Sequence, residues 1–119
     1  MIPSFLLAKL YVKGSLKNTD SGFEFALKNI IDSTRLSGIG PITVGEKNYD
    51  GESVTMSTNE RTVTGTELSR SNPVPVRMGV PLKVSVTGEK LASGTQKINV
   101  AATTSDIGKI KFDISDNVV

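Results

Sequence analysis

Acidic side chains near the C-terminus are the residues of this sequence that come closest to a chemical site. Asp113, Ser115 and Asp116 follow one another at short spacing, with Asp106 nearby. Hard cations such as Ca²⁺ bind several oxygen ligands, so such a cluster is a candidate cation site. The spacing matches no known cation-binding loop, and Asp113 and Ser115 are predicted on the outer face of the last strand, with Asp116 in the tail. We therefore expect a solvated terminus and no metal site.

The chain contains no histidine and no cysteine. Their absence excludes Ser–His–Asp and Cys–His arrangements, thiolate metal sites and the usual general base near neutral pH. A paired-carboxylate site needs two acids in one cleft. The acids available for such a pair are Glu24, Asp32, Asp50 and Glu52. Their spacing in the sequence does not indicate that any two of them share a cleft. We predict no catalytic residue, no cofactor and no activity of the chain alone.

A glycine-containing stretch from Gly38 to Thr43 begins like a phosphate-binding loop. It lacks the third glycine and a following helix, both of which that loop requires. Pro41 cannot donate a hydrogen bond to a strand ladder. The pattern therefore predicts a bulged or edge strand instead of a nucleotide site.

Four lysines and one tyrosine at or beside the first predicted hairpin form another candidate surface. They are Lys9, Tyr11, Lys13, Lys17 and Lys28. Sheets that bind single-stranded nucleic acid combine such charge with stacking aromatic rings. Here only one ring is present, and lysines also protect sheet edges from aggregation. The net charge is +2 with both signs interspersed, whereas nucleic-acid binding requires a clustered basic patch. Nucleic-acid binding is not predicted, and whether the lysine face is functional stays open.

Alternation of apolar and polar residues is clearest between Val80 and Ala102, and a period of two is typical of half-buried strands. The predicted inward residues are Leu82, Val84 and Val86 before the corner at 88–94, and Ile98, Val100 and Ala102 after it. A buried Leu91 in that corner would place the two strands in different sheets.

Further strands are predicted on both sides of this stretch. They are a first hairpin of 10–17 with 23–29, a strand over 34–44, short strands over 53–57 and 61–64 with Val54, Met56 and Val63 inward, and a last strand over 107–114 with Ile110, Phe112 and Ile114 inward. Short strands with regular turns indicate a sandwich or barrel. We predict an all-β fold, a single antiparallel β-sandwich of about seven to eight strands forming one domain over residues 1–119.

The N-terminal stretch Met1–Ala8 is apolar, but it is short and has no basic start, so a signal peptide is not predicted. No apolar run approaches the length of a transmembrane helix. We expect a soluble, cytoplasmic protein that does not bind a membrane. We also expect Pro3–Leu7 to be covered, either by the fold or by a neighbouring chain.

The connection over 68–81 is long and rich in proline, which predicts an extended segment crossing between sheets. It carries arginine and methionine, residues enriched at protein interfaces. The predicted interface residues are Arg61, Arg70, Val74, Arg77 and Met78, together with Phe5 and Leu6. The alternative is a loop packed on its own domain. Function is expected in the irregular segments, 30–41 and 68–81.

Several phrases, taken in order, resemble the small β subunit of bacterial C-glycoside deglycosidases. They are Gly22–Leu27, Leu36–Val44, Gly79–Val86 and Gly88–Gly94. The resemblance spans about residues 10–115. It implies a β-sandwich without the metal, assembled with a larger (β/α)8-barrel subunit that holds a divalent cation and the catalytic residues. No catalytic residue of this chain follows from it.

The predicted function is therefore a non-catalytic small subunit that binds another protein chain, and the resemblance makes that chain a carbohydrate-active, C-glycoside-cleaving barrel enzyme. The alternative is a self-assembling homo-oligomeric structural or binding domain. A small-ligand or carbohydrate-binding module is a third possibility. With four Phe, two Tyr and no Trp, the chain is poor in the aromatic residues that a sugar platform requires.

Overall fold

Two antiparallel sheets pack face to face in the computed structural model, which describes residues 3–118. The predicted domain of 1–119 also includes Met1, Ile2 and Val119, which lie outside the described residues. The strands within 3–118 are β1 (Lys17–Thr19), β2 (Gly22–Lys28), β3 (Thr34–Val44), β4 (Lys47–Tyr49), β5 (Val54–Ser57), β6 (Thr62–Thr64), β7 (Val74–Val76), β8 (Pro81–Thr87), β9 (Thr95–Thr104) and β10 (Gly108–Asn117).

The first sheet has the strand order β1-β2-β8-β5-β6, and the second has the order β10-β9-β3-β4. The short β7 also pairs with β3, beside Thr34–Leu36, while β4 pairs further along the same edge. The observed architecture confirms the prediction of an all-β antiparallel sandwich. The ten strands within residues 3–118 exceed the predicted seven to eight, because the three-residue strands β4 and β7 were not predicted.

The core is one cluster of buried apolar side chains between the sheets, and it follows from the period of two. In β2 the buried residues are Phe23, Phe25 and Leu27, and the inward residues predicted for β5, β6, β8 and β9 are likewise buried. In β10, Phe112 and Ile114 are buried, whereas Ile110 is half-buried. Alternation therefore predicted correctly which face of these strands points inward.

The corner between β8 and β9 connects the two sheets, because β8 pairs with β2 and β5 whereas β9 pairs with β10 and β3. Leu91 is half-buried and packs against the core. The Asn18 side chain holds it in place: Asn18 Nδ2 donates to the Leu91 carbonyl at 2.9 Å, and the Leu91 N–H donates to Asn18 Oδ1 at 2.7 Å. The predicted change of sheet at this corner is confirmed.

Strand β3 has the predicted bulges, since its register with β9 shifts between Leu36 and Gly38 and again between Ile39 and Ile42. It is not an edge strand, because β9 lies on one side and β4 and β7 lie on the other. The proline is tolerated where the ladder is interrupted. The strand continues from Gly40 to Val44, so the stretch does not lead directly into a helix. The 3₁₀ turns Gly51–Ser53 and Gly65–Glu67 come later in the chain.

The connection over 68–81 crosses between sheets as predicted, but it is extended only at β7, since it turns at 70–71 and again at 78–79. It leaves the first sheet after β6, contributes β7 to the second sheet and returns to the first sheet as β8.

The prediction of a strand over 10–17 is wrong. Ser4–Leu7 forms one α-helical turn, Ala8–Leu10 forms a 3₁₀ turn, and only Lys17–Thr19 of this region forms a strand. Leu7 is buried and Leu10 packs against the core, and a spacing of three residues matches a helical turn better than a strand. This segment, residues 4–16, is called the N-terminal strap below.

The basic face predicted for the first strand does not form as a strand face, because Lys9 and Lys13 precede β1 and Tyr11 is half-buried. Nearby, the carboxylate of Glu24 lies between two lysines, 3.9 Å from Lys17 Nζ and 3.6 Å from Lys83 Nζ. These ion pairs neutralise part of the positive charge on the outer face of the first sheet.

Candidate functional site

The predicted interface residues do not form one surface. Val74 is 1% exposed in β7 and belongs to the core, so its prediction as an interface residue is wrong. It was misassigned because a short Val-Pro-Val strand in a proline-rich segment has the composition of an exposed loop. Arg61 binds its own chain: Nη1 donates to the Pro73 carbonyl at 3.0 Å and Nη2 donates to Asn72 Oδ1 at 3.1 Å. Arg61 therefore agrees with the alternative prediction, in which this part of the chain packs on its own domain.

The remaining predicted residues are exposed. Arg70 lies in the turn after Leu68, and Arg77 pairs with Glu60 across 3.3 Å. Met78 exposes 59% of its surface and Phe5 exposes 67%. Leu6 is also exposed, whereas Leu7, in the same segment Pro3–Leu7, is buried. The fold therefore does not cover Phe5 and Leu6, and cover by a neighbouring chain stays a prediction.

Two exposed apolar side chains lie on loops that are bonded to each other, 29–33 and 77–80, which we call the loop-end surface. Met78 lies on one loop, and Ile30, 49% exposed, lies on the other. The Gly79 N–H donates to the Asn29 carbonyl at 2.7 Å, and the Met78 N–H donates to Ser33 Oγ at 2.9 Å. These bonds hold the two loops together, so both apolar side chains are presented on a preformed surface.

The sequence predicted function for both of these segments but did not name Ile30 as an interface residue. The available signal was an Ile-Ile pair without strand alternation, between Asn29 and Asp32. Ile31 is half-buried and packs against the core, whereas Ile30 points outward. Which isoleucine is exposed depends on the turn that Asn29 builds, since Asn29 Oδ1 accepts from the N–H of Ile31 at 3.1 Å.

Charges of both signs surround the loop-end surface. Asp106 accepts a hydrogen bond from Thr34 Oγ1 at 3.0 Å, and the Arg35 carbonyl accepts from the Ser105 N–H at 2.9 Å. Arg77 and Asp32 are exposed on the two loops themselves. The surface therefore combines exposed apolar residues with neighbouring charges of both signs, a composition typical of protein interfaces.

The C-terminal acids do not come together as ligands of a single cation site. Asp113 accepts from Asn99 Nδ2 at 2.6 Å and lies 3.6 Å from Lys97 Nζ, and these two contacts lower its pKa. Asp106 belongs to the turn beside Thr34. Within residues 3–118 there is no group of three or more acidic, histidine or cysteine side chains able to hold a metal ion.

Asp116 has a structural role, and its predicted place in a tail is wrong because it lies within β10. Its carboxylate accepts from the Tyr11 O–H at 2.6 Å and from the Gly14 N–H at 2.7 Å, which ties the N-terminal strap to the last strand. Hydrogen bonds from Tyr11 and Gly14 favour the ionised carboxylate and lower the pKa of Asp116. The pKa of Tyr11 is raised, first by burial and then by the bond to Asp116.

Replacing Asp116 with Asn is expected to lower the melting temperature at neutral pH and to flatten its acid dependence. The folded-state pKa of Asp116 lies below the unfolded value of about 3.9. Its stabilisation is therefore complete above that value and is lost as the pH falls through the lower folded-state pKa. Melting curves followed by circular dichroism from pH 7 to about pH 2 should show wild type and D116N converging in acid.

Asp20→Asn is the matched control, because Asp20 is exposed in the turn between β1 and β2. Its acid profile should run parallel to that of wild type. A D116N profile that also runs parallel to wild type down to the lowest pH would contradict the role of the ionised carboxylate.

No helix in the described part of the chain is long and apolar enough to cross a membrane.

Comparison with known proteins identifies one family. The family model described as hydroxymethylglutaryl-CoA reductase, N-terminal domain, matches residues 6–119. No curated protein matches the chain. The predicted resemblance to the small β subunit of C-glycoside deglycosidases is wrong, because the family that matches is a different one. The phrases that suggested it are glycine-bounded strands, which unrelated sandwiches also contain.

Proposed function

This chain belongs to the family of hydroxymethylglutaryl-CoA reductase N-terminal domains, and we propose that it is a non-catalytic β-sandwich domain that binds another protein chain through its loop-end surface. Its partner in this proposal is the catalytic part of a hydroxymethylglutaryl-CoA reductase, because the family description assigns the domain to that enzyme. The absence of cysteine is consistent with a reducing, cytoplasmic location.

The observation that carries the proposal is the exposure of Ile30 and Met78 on two loops that are bonded to each other. Binding costs less when the surface is already ordered, since loops need not lose conformational freedom on association. Methionine adapts to varied partner surfaces, and apolar side chains within a polar rim are typical of interface centres.

A non-catalytic role is supported by the positions of the ionisable groups with shifted pKa values. Glu67 has a lowered pKa because it accepts bonds from the backbone and hydroxyl of Thr64, and it caps a 3₁₀ turn. Lys47 has a raised pKa because it pairs with Glu89. Both groups are on the surface with structural partners, whereas perturbed groups of an active site gather in a cleft.

The test is co-purification of the tagged chain with the catalytic part of a hydroxymethylglutaryl-CoA reductase, followed by light scattering on the complex. The double variant Ile30→Glu/Met78→Glu is expected to weaken binding at least tenfold, because it places two charges at the centre of the contact. Its thermal stability should remain near that of wild type, since both residues are exposed.

The matched control is Phe5→Glu/Leu6→Glu, which makes the same change of charge at exposed apolar positions on the N-terminal strap. Phe5 and Leu6 were themselves predicted as interface residues, so the proposal that this partner contacts the loop-end surface requires the strap variant to bind like wild type. Loss of binding in the control but not in the loop-end variant would show that the interface lies on the N-terminal strap. A catalytic part that binds neither wild type nor either variant would refute this partner.

Self-association is the second candidate, and the specific observation favouring it is the β10 edge. This strand pairs with β9 along ten residues, Gly108–Asn117, and it stands at the end of the second sheet. A long edge strand can accept a strand from another copy, and the N-terminal strap packs against β10, so another copy would pair along the part of this edge that the strap leaves open. Sedimentation of the chain alone distinguishes the two candidates. A defined homo-oligomer that has the same size in wild type and in the loop-end variant would favour self-association.

A further inference from the structure

An apolar cavity of about 60 Å³ lies between the two sheets beneath the loop-end surface. Leu27 and Leu82, which pair with each other, line it from the first sheet. Ile39, Val100 and Ala102 line it from the second sheet. Leu7 and Leu10 of the N-terminal strap close the side of the cavity.

The cavity exists because the inward side chains of β9 become smaller toward this end. Ile98 and Val100 are followed by Ala102, whose methyl group is the smallest inward side chain of the strand, and then by Thr104. At the opposite end of the sandwich the large rings of Phe23 and Phe25 fill the space between the sheets. The lining from the first sheet is aliphatic, with Leu27 and Leu82, and the ring of Phe112 lies on β10 beside Val100.

The lining offers little to a water molecule. The hydroxyl of Thr104 already donates to the Gly108 carbonyl at 3.0 Å and accepts from the Ile107 N–H at 3.0 Å. Within residues 3–118 no buried side-chain nitrogen or oxygen lacks a hydrogen-bond partner. A buried water needs about two to four polar partners, and apolar cavities without them stay dry and accept apolar guests.

The cavity is reachable from the loop-end surface. Its rim includes the exposed Lys28 and Asp32 and the half-buried Ile31 and Ile107. A guest could therefore place an apolar end between the sheets while a polar end remains in water beside the rim.

We infer that this cavity is a binding site for the short aliphatic end of a small molecule. An apolar cavity of about 150 Å³ accepts the six carbons of benzene, so a cavity of about 60 Å³ accommodates two or three carbon-sized groups. The inference stands apart from the proposed protein-binding function, since it concerns the interior and not the exposed side chains of Ile30 and Met78.

The first experiment uses xenon, with methyl resonances followed by NMR under gas pressure. Xenon is expected to shift the methyl signals of Leu27, Leu82 and Ala102, and to leave those of Val54 unchanged, since Val54 does not line the cavity. A homologous series of normal alcohols then measures chain length. Affinity should rise roughly fourfold for each methylene that enters the cavity and level off after about three carbons.

The test variant is Ala102→Val, whose two added carbons should fill the cavity, and the matched control is Ala101→Val on the outward face of the same strand. Ala102→Val should reduce xenon affinity at least tenfold, whereas Ala101→Val should leave it within twofold of wild type. Val76→Ile, which adds one carbon to another lining residue, should reduce the affinity by a smaller factor.

Equal xenon affinity in wild type, Ala102→Val and Val76→Ile would overturn the inference. It would also be overturned if xenon caused no localised shifts, or if alcohol affinity rose without a break beyond six carbons. Because Val76→Ile is a small change on a different strand, the test remains decisive even if Ala102→Val fails to fold.

Discussion

Phe23→Ala is expected to lower the free energy of unfolding by about 4 kcal/mol, near the middle of the range for buried phenylalanine. Phe23 is fully buried, with 0% of its surface exposed. Its ring meets Tyr49 edge to face, with centroids 5.8 Å apart and planes at 75°. Since Phe23 belongs to the first sheet and Tyr49 to the second, the substitution removes a contact that joins the sheets as well as leaving a cavity.

Urea denaturation followed by circular dichroism measures this loss. Phe5→Ala is the matched control, because it is the same chemical change at a side chain that is 67% exposed. Its effect should stay within about 0.5 kcal/mol. If both variants lost similar stability, the assignment of Phe23 to the core between the sheets would be contradicted.

Gly22→Ala is expected to lower the free energy of unfolding by roughly 3 kcal/mol, because the new methyl group has no space. A Cβ built at Gly22 would lie 1.9 Å from the Val86 carbonyl oxygen and 2.9 Å from the Gly88 nitrogen. Both are backbone atoms, and they cannot rotate away as a side chain would. The pairing of β2 with β8 at the centre of the first sheet would therefore have to shift.

Gly38→Ala provides the control for this steric argument, since Gly38 is also a strand glycine. Its added Cβ would meet Thr103 at 3.5 Å, an ordinary van der Waals distance. With reduced freedom of the unfolded chain and no clash, this variant should be neutral or slightly more stable than wild type. Thermal melts that rank Gly38→Ala below Gly22→Ala would refute the predicted difference.

The strands that the sequence predicted correctly are those in which one face meets the core and the other meets water. In β8, for example, Leu82 and Val86 are buried and Lys83 is exposed. Hydrophobic burial imposes this pattern on any half-buried strand, so the pattern can be inferred without knowledge of the neighbours. The same reasoning failed for residues 10–16, where Leu10 and Val12 have the spacing of a strand but belong to the N-terminal strap.

The candidate site was predictable only in part. Met78 and Arg77 were correctly expected to be exposed, since their segment is rich in proline and lacks alternation. The exposure of Ile30 depends on the turn at Asn29, and the burial of Val74 depends on its pairing with Leu36. Both outcomes rest on contacts between residues far apart in sequence or on turn geometry, which composition does not specify.

The sequence by itself determined the all-β class, the inward faces of the long strands and the absence of histidine and cysteine chemistry. Each of these follows from local periodicity or from the residues that the chain contains. Only the tertiary structure decided that the loops bearing Ile30 and Met78 lie together. It also decided that Asp116, near the C-terminus, accepts a hydrogen bond from Tyr11, near the N-terminus, and that the small side chain of Ala102 leaves a cavity. Such features depend on which residues the two packed sheets bring into contact, and that arrangement is a property of the whole fold.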